Sequence, residues 1–213
     1  MDDAFRGLVR RGHGFNTVID IGASNGSWSA SLMRYFPNCS YLLVEAQPVH
    51  ESALRNFCAR HANAQFVLAA AGDRPGEIFF DATDPLGGQA SYVPRSPADI
   101  RVPVVSIDSQ AKARNLAGPY LLKFDTHGFE VPILKGAGDV LENTEVIIME
   151  CYNFRIAPEA PTFDEMCRHL GQRGFRCIDL VDPMHRLYDG SFWQMDLVFV
   201  RGDRPEFSHQ QYR

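Results

Sequence analysis

The chain has 213 residues, 45% of them hydrophobic and 22% charged, enough for one sizeable core and ordinary for a globular protein. Its formal net charge of −5 argues against a surface built to grip phosphate, and so against a nucleic-acid partner. The five cysteines (39, 58, 151, 167 and 177) are scattered, no apolar leader follows Met1-Asp2-Asp3, and no run has membrane-span length. These features predict a soluble cytoplasmic protein with reduced thiols and no membrane contact, folded as a single domain over 1–213.

Taken in chain order, Thr17–Ile21 is a strand-like apolar run, followed by a helix-like stretch at Trp28–Tyr35. A second strand is predicted at Tyr41–Glu45, a helix over Pro48–His61, and a third strand at Phe66–Ala70. Residues 82–103 hold four prolines and two adjacent glycines and predict a lid or small β-excursion, with Gln89, Ser91 and Tyr92 as lid residues. Strands then recur at Tyr120–Phe124, Val146–Glu150, Cys177–Val181 and Leu197–Val200, with helices over Val131–Leu141 and Phe163–Arg173 between. Phe163, Met166, Cys167 and Leu170 follow the i, i+3, i+4, i+7 pattern of one helix face. Nearly continuous apolar strands alternating with such helices predict an α/β fold, a mostly parallel sheet covered on both sides. Loops at 152–162 and 182–194 are rich in aromatic and polar groups. They follow strand ends, where open α/β sheets bind ligands, so Tyr152, Asn153 and Arg155, and then His185, Arg186, Tyr188 and Trp193, are candidate acceptor contacts.

The stretch VIDIGASNGSW (residues 18–28) sets a strand, an acid and a glycine-bearing turn ahead of a helix. A dinucleotide site wants G-x-G-x-x-G, whereas here the spacing is G-x-x-x-G with Asp20 beside it. A carboxylate there repels a pyrophosphate and suits a cationic ligand such as S-adenosylmethionine, whose close approach Gly22 permits. Glu45 closes the second strand, where an acid accepts from both ribose hydroxyls, and Asp73 follows the third, within reach of an adenine amino group. Each acid alone has a plainer use: a helix cap at Asp20, a solvated charge at Glu45, a turn at Asp73. Three acids at successive strand ends point to the nucleoside cofactor.

LLKFDTHGFE (residues 121–130) places Asp125, His127 and Glu130 around Gly128 at the end of the fourth strand. Asp125 and His127, with Glu150 from the next strand, are the candidate catalytic residues. Histidine can accept a hydroxyl proton near neutral pH. It can instead bind the acceptor or simply pack. Glu130, ahead of Pro132, also fits a helix start. A divalent metal held by Asp125, His127 and Glu150 or Glu130 is a further option, not the favoured one, because nothing in the sequence makes those groups converge.

The chain resembles the FkbM family of S-adenosylmethionine-dependent methyltransferases, roughly from Phe5 to Gly202. The resemblance rests on RGHGFNTVIDIGASNGSWS, YLLVEAQP, AAAGDRPGEIFF, VVSIDS, YLLKFDTHGFEVPILKGA, VIIMEC, GFRCIDL and QMDLVFVR. It implies the class I Rossmann-like fold, a seven-stranded sheet whose last strand, Gln194–Val200, is antiparallel. It further implies that Asp20, Gly22, Ala23, Asn25 and Gly26 wrap the methionine end of the cofactor. Glu45 takes the ribose, Asp73 the adenine rim, and Ala46 and Ala71 pack beside the adenosine. The family usually shows an acid where this chain has His127, within D-x-E-G-x-E, and often Asn ahead of the A-x-G-D segment, where this chain has Ala. The expected activity is O-methylation of a small molecule or sugar hydroxyl. The alternatives are a non-catalytic cofactor-binding protein and a dinucleotide-dependent oxidoreductase.

Overall fold

The computed structural model describes residues 1–158 and 160–212. The chain runs α1 (Asp2–Arg10), β1 (Thr17–Ile21), α2 (Ser27–Met33), β2 (Ser40–Glu45), α3 (Glu51–Arg60), β3 (Ala64–Leu68) and β4 (Ala70–Ala71). It continues through β5 (Gly76–Asp81), β6 (Gln89–Ser91), β7 (Ile100–Val105), α4 (Ile107–Ala113), β8 (Tyr120–Phe124), α5 (Glu130–Lys135) and α6 (Gly138–Glu142). Last come β9 (Thr144–Tyr152), α7 (Phe163–Gly171), β10 (Phe175–His185) and β11 (Phe192–Arg201).

The main sheet has seven strands in the order β10-β11-β9-β8-β1-β2-β3. The pairs among β3, β2, β1, β8 and β9 are parallel, and β11 runs antiparallel between β9 and β10. This is the class I methyltransferase topology, with the antiparallel last strand expected. All five residues of β1 and of β8 are buried, because both sheet faces are covered. Ile19, Leu42, Leu122 and Ile147 point into the core under α4 to α7, and Val18, Leu43, Leu121 and Ile148 into the core under α1 to α3. The strand order reverses between β1 and β8, and a crevice opens beyond their carboxyl ends.

Two stretches differ from expectation. Val131–Leu141 is two short helices broken at Gly136, where a Cβ would lie 2.0 Å from the Gly72 carbonyl oxygen, so the loop after β4 presses on bare backbone. Asp108 of α4 then accepts from the Asp139 and Val140 amides and satisfies the exposed start of α6. Residues 182–194, expected as a loop, are mostly the end of a β10–β11 hairpin that runs past the sheet. Residues 82–103 form part of a second sheet, ordered β4-β7-β5-β6, with a strap over residues 82–88.

Candidate active site

The turn after β1 forms because three residues take left-handed backbone: Gly22 (φ 80), Ser24 (φ 48) and Gly26 (φ 82). The Gly22 and Ala23 amides both donate to the Val44 carbonyl, at 2.9 and 3.1 Å, which ties the turn to the end of β2. The Ser24 amide donates to Glu45 Oε2 and the Gln47 amide to Glu45 Oε1, each at 2.7 Å. The Glu45 carboxylate is thereby fixed in orientation by two backbone donors.

A cavity lies beyond these loops. Its walls include Gly22, Ser24, Glu45, Ala46, Gln47, Ala69 to Ala71, Phe80, Asp125, Thr126, His127 and Phe129, and the strap closes it with Pro85, Leu86 and Gly88. Gln47 Nε2 donates to the Asp84 and Pro85 carbonyls, both at 3.1 Å, and holds the strap down. Gly22 meets the opposite wall directly: a Cβ there would sit 1.9 Å from the Asp125 carbonyl oxygen. A carboxylate at the β2 end, an apolar slot beside it and a loop that admits only glycine fit a nucleoside cofactor.

The predicted cofactor residues divide. Gly22, Glu45 and Ala46 line the cavity. Asp20 does not: alternation turns its side chain to the opposite face of β1, where Ser29 Oγ donates to Oδ2 at 2.6 Å and Oδ1 has no hydrogen-bond partner. Burial pushes its carboxyl up to about 6, against the opposing pull of Ser29 and Lys123. Ala23 packs in the core, and the Asn25 side chain accepts from the Ser27 amide at the start of α2. Gly26 precedes α2, where a Cβ would press on Phe57 at 3.0 Å. Asp73 lies outside this cavity, on the two adjoining ones, and accepts from the Tyr92 hydroxyl at 3.3 Å.

The candidate catalytic residues converge. The turn after β8 puts His127 in left-handed backbone (φ 50), rare for a non-glycine residue and a common mark of a functional position. His127 Nε2 lies 3.3 Å from Asp125 Oδ1 and 3.4 Å from Glu150 Oε2, and Nδ1 is buried without a protein partner. Tyr152 donates to Glu150 Oε2 at 2.7 Å, and Gln194 of β11 donates to Oε1. Burial and the Asp125 charge push the Glu150 carboxyl up to about 8, so it holds its proton at neutral pH. Glu130 is a turn residue: its Oε1 accepts from the Gly128 amide at 2.8 Å and from Thr126 Oγ1 at 3.1 Å.

Donor atoms of Asp125, His127 and Glu150 lie within 4.8 Å of one another, close enough to share a cation. That neighbourhood already contains one, the Lys123 ammonium, 3.3 Å from Asp125 Oδ2. Sequence reasoning missed Lys123, Asp196, Gln47 and Ser24. A lysine inside the apolar run LLKF was the available signal, since a charge in a strand buried on both faces needs partners. The loop residues His185, Arg186, Tyr188 and Trp193 sit along the hairpin. Trp193 stacks on Phe154 (centroids 5.4 Å) and meets Tyr152 edge-on (5.8 Å), while the Arg186 guanidinium lies 4.1 Å from the Phe154 ring centroid.

Among solved structures, the fold is similar to magnesium protoporphyrin IX methyltransferase from Synechocystis with bound S-adenosylmethionine. Identity is 14%, TM-score 0.51, with 94% of this chain and 77% of that one covered. It is also similar to a Streptococcus pneumoniae protein described as a candidate tRNA (m1A22) methyltransferase, in complex with S-adenosylmethionine. There identity is 14% and TM-score 0.53, covering 94% and 72%. A candidate RNA methyltransferase from Pyrococcus horikoshii matches at 10% identity and TM-score 0.53, covering 94% and 83%. No curated protein matches the chain significantly. Among the described residues, no helix is long and apolar enough to cross a membrane. The model of the methyltransferase FkbM domain matches residues 20–177, which span the turn after β1, Glu45 and the Asp125–His127–Glu150 cluster. The chain belongs to the FkbM family, and it is a methyltransferase that uses S-adenosylmethionine.

Proposed function

We propose that this methyltransferase acts on a hydroxyl oxygen of a small molecule or sugar, with His127 as the base and Asp125 orienting it. One observation carries the reading. His127 is one of the residues of the cavity wall, with Gly22, Glu45 and Asp125, and its Nδ1 has no hydrogen-bond partner in the protein. S-adenosylmethionine, when bound, supplies a methyl carbon whose bond to sulfur breaks with the electron pair staying on sulfur. Glu45 would receive the ribose hydroxyls on its remaining lone pairs. Ala46 and Ala69 to Ala71 would form the slot for the purine, and the partly exposed Asp125 carboxylate would meet the cationic end.

With Nε2 facing Asp125, the neutral imidazole carries its proton on Nε2, which leaves Nδ1 as the acceptor. Nδ1 takes the hydroxyl proton as the acceptor oxygen bonds the methyl carbon, and later returns it to solvent. A positioned base of this kind contributes roughly 10²–10⁴-fold. The sulfonium is already a good leaving group, so alignment supplies most of the rest. The cation beside Asp125 is the Lys123 ammonium, so this reading gives no metal ion a part.

The test uses S-adenosylmethionine carrying a 13C methyl group, a panel of hydroxylated small molecules and sugars, and an RNA arm, each with and without chelator. The expected product is an O-methyl ether on a small acceptor, recognised by its carbon shift, with turnover unaffected by chelator. His127→Ala is expected to lower that turnover about 10²-fold with the affinity for S-adenosylhomocysteine changed by less than about threefold. Methyl groups found only on nitrogen, carbon or RNA would overturn the O-methyl reading.

A further inference from the structure

Lys123 stands inside a strand buried on both faces and is itself 3% exposed. Register sets it beside Asp20 on β1, and side chains from other strands close on it. Its Nζ lies 3.3 Å from Asp125 Oδ2 and 3.5 Å from Asp196 Oδ1 on β11, and donates to the Phe124 carbonyl at 3.0 Å. The Trp28 ring lies against it, centroid 5.9 Å away. The other oxygen of Asp125 is 3.3 Å from His127 Nε2. Asp196, Lys123, Asp125 and His127 therefore form one row, from the sheet interior to the wall of the cofactor cavity.

We propose that Lys123 is a positioning residue for methyl transfer: anchored by Asp196, it keeps Asp125 as the anion that orients His127 and leaves Glu150 as the protonated member of the pair. The proposal rests on the reading of His127 as the base. The strands around the ammonium each contribute charge or a titratable group: Asp20 on β1 with Glu45 of β2 behind it, Asp125 and His127 after β8, Glu150 and Tyr152 on β9, and Asp196 on β11 with Asp182 of β10 beyond, while α2 contributes only the Trp28 ring. Burial acts against the charge on Lys123, but these acids outweigh it and raise its affinity for the proton. Burial likewise works against the Asp125 anion, and Lys123 and His127 more than offset it, so the carboxyl stays below its ordinary range.

Without the ammonium, clustered buried carboxylates cannot all stay ionised, and the row takes up a proton. A protonated Asp125 has a donor where it had an acceptor, and the His127 Nε2–H loses its fixed partner. Lys123 thus acts on the base through Asp125, at one remove from the reacting atoms.

The experiment follows the Asp125 and Glu150 side-chain carboxyl carbons by 13C NMR in labelled full-length protein as pH is varied. In the unaltered protein Asp125 is expected to stay ionised through neutrality while Glu150 titrates well above it. Lys123→Met is expected to raise the proton affinity of Asp125 by about 10³-fold or more, enough to protonate it near neutrality, and Lys123→Arg to restore it. An Asp125 carboxyl still fully ionised at about pH 7 in Lys123→Met overturns the proposal. Should that variant fail to fold, Lys123→Met with Asp196→Asn removes one charge of each sign, and an Asp125 curve no higher there than in Asp196→Asn alone is equally fatal. The titration needs no methyl acceptor, so its outcome is separate from that of the His127→Ala turnover test.

Discussion

The two banks of the crevice between β1 and β8 are built by different means. On the β1–β2 bank, backbone does the positioning: amides of residues 22 to 24 and 47 converge on Val44 and Glu45. On the β8–β9 bank, side chains do it, with Asp125 from the turn after β8, Glu150 from β9 and Asp196 from β11 gathered about Lys123 and His127. One bank holds a shape and the other holds a distribution of protons. A cofactor of fixed shape is served by a rigid turn, whereas proton removal requires that one acid be ionised and its neighbour not.

The banks touch at Gly22, and a change there should break both. Gly22→Ala puts a Cβ 1.9 Å from the Asp125 carbonyl oxygen and asks alanine to hold φ 80. The left-handed backbone alone costs about 1–2 kcal/mol, and the loop after β8 must also move. Binding of S-adenosylhomocysteine, measured by calorimetry, is expected to weaken by more than about 100-fold, with a clear loss of Tm. Glu45→Gln separates the banks instead. One of its two backbone donors then faces an amide NH2, and the loss of a charged hydrogen bond, about 1.5–3 kcal/mol, predicts roughly 10–100-fold weaker cofactor binding. The carboxyl titrations of Asp125 and Glu150 should not move in that variant. If they do, the two banks are not independent.

The same contrast explains what the sequence revealed. β1 and β8 are predicted to the residue, because strands buried on both faces read as unbroken apolar runs. Gly22 and Glu45 are legible too, since local spacing fixes a turn and a strand end. Asp20 shows the limit of spacing: it lies one residue before the strand end, and a period of two sends it to the other face. The charge row was out of reach. Lys123 and Asp196 are 73 positions apart in sequence, and only the placing of β11 beside β9 brings them together. α1 and α4, at nine and seven residues, are too short for helical periodicity to separate them from loop.

Glu150 offers a test of the charged bank by stability. Its carboxyl is raised from an ordinary 4.5 to about 8, so the folded protein binds a proton that the unfolded chain releases. The stabilisation is complete below the unfolded value and is lost as pH rises through about 8. Asp20, raised from 3.8 to about 6, slopes the same way in a lower window, and Asp125, held low, acts oppositely in acid. Between pH 5 and 8 the Tm is therefore expected to fall, by on the order of 10 °C attributable to Glu150. Glu150→Gln keeps the shape, removes the titration and should flatten that part of the curve. An unchanged slope in the variant would show that Glu150 is ionised throughout.

The smallest effect is expected at the strap. Gln47 is 4% exposed, and its Nε2 is shared between the Asp84 and Pro85 carbonyls, while His50 Nε2 lies 2.8 Å from the same Pro85 oxygen. Gly88 allows the strap to lie close, because a Cβ there would meet Phe80 at 2.4 Å and Gln47 Nε2 at 2.7 Å. Gln47→Ala removes two of the three contacts to Asp84 and Pro85 but leaves the Gln47 amide on Glu45, so the backbone bank keeps its shape. Two neutral hydrogen bonds contribute about 1–2 kcal/mol together, partly recovered by water. The expected result is faster amide exchange confined to residues 82–88 and an affinity for S-adenosylhomocysteine lowered by about three- to tenfold, mainly through faster release. Exchange that spreads into β2 would mean that the strap and the Glu45 carboxylate are one cooperative unit, and that this bank depends on side chains as well as on backbone.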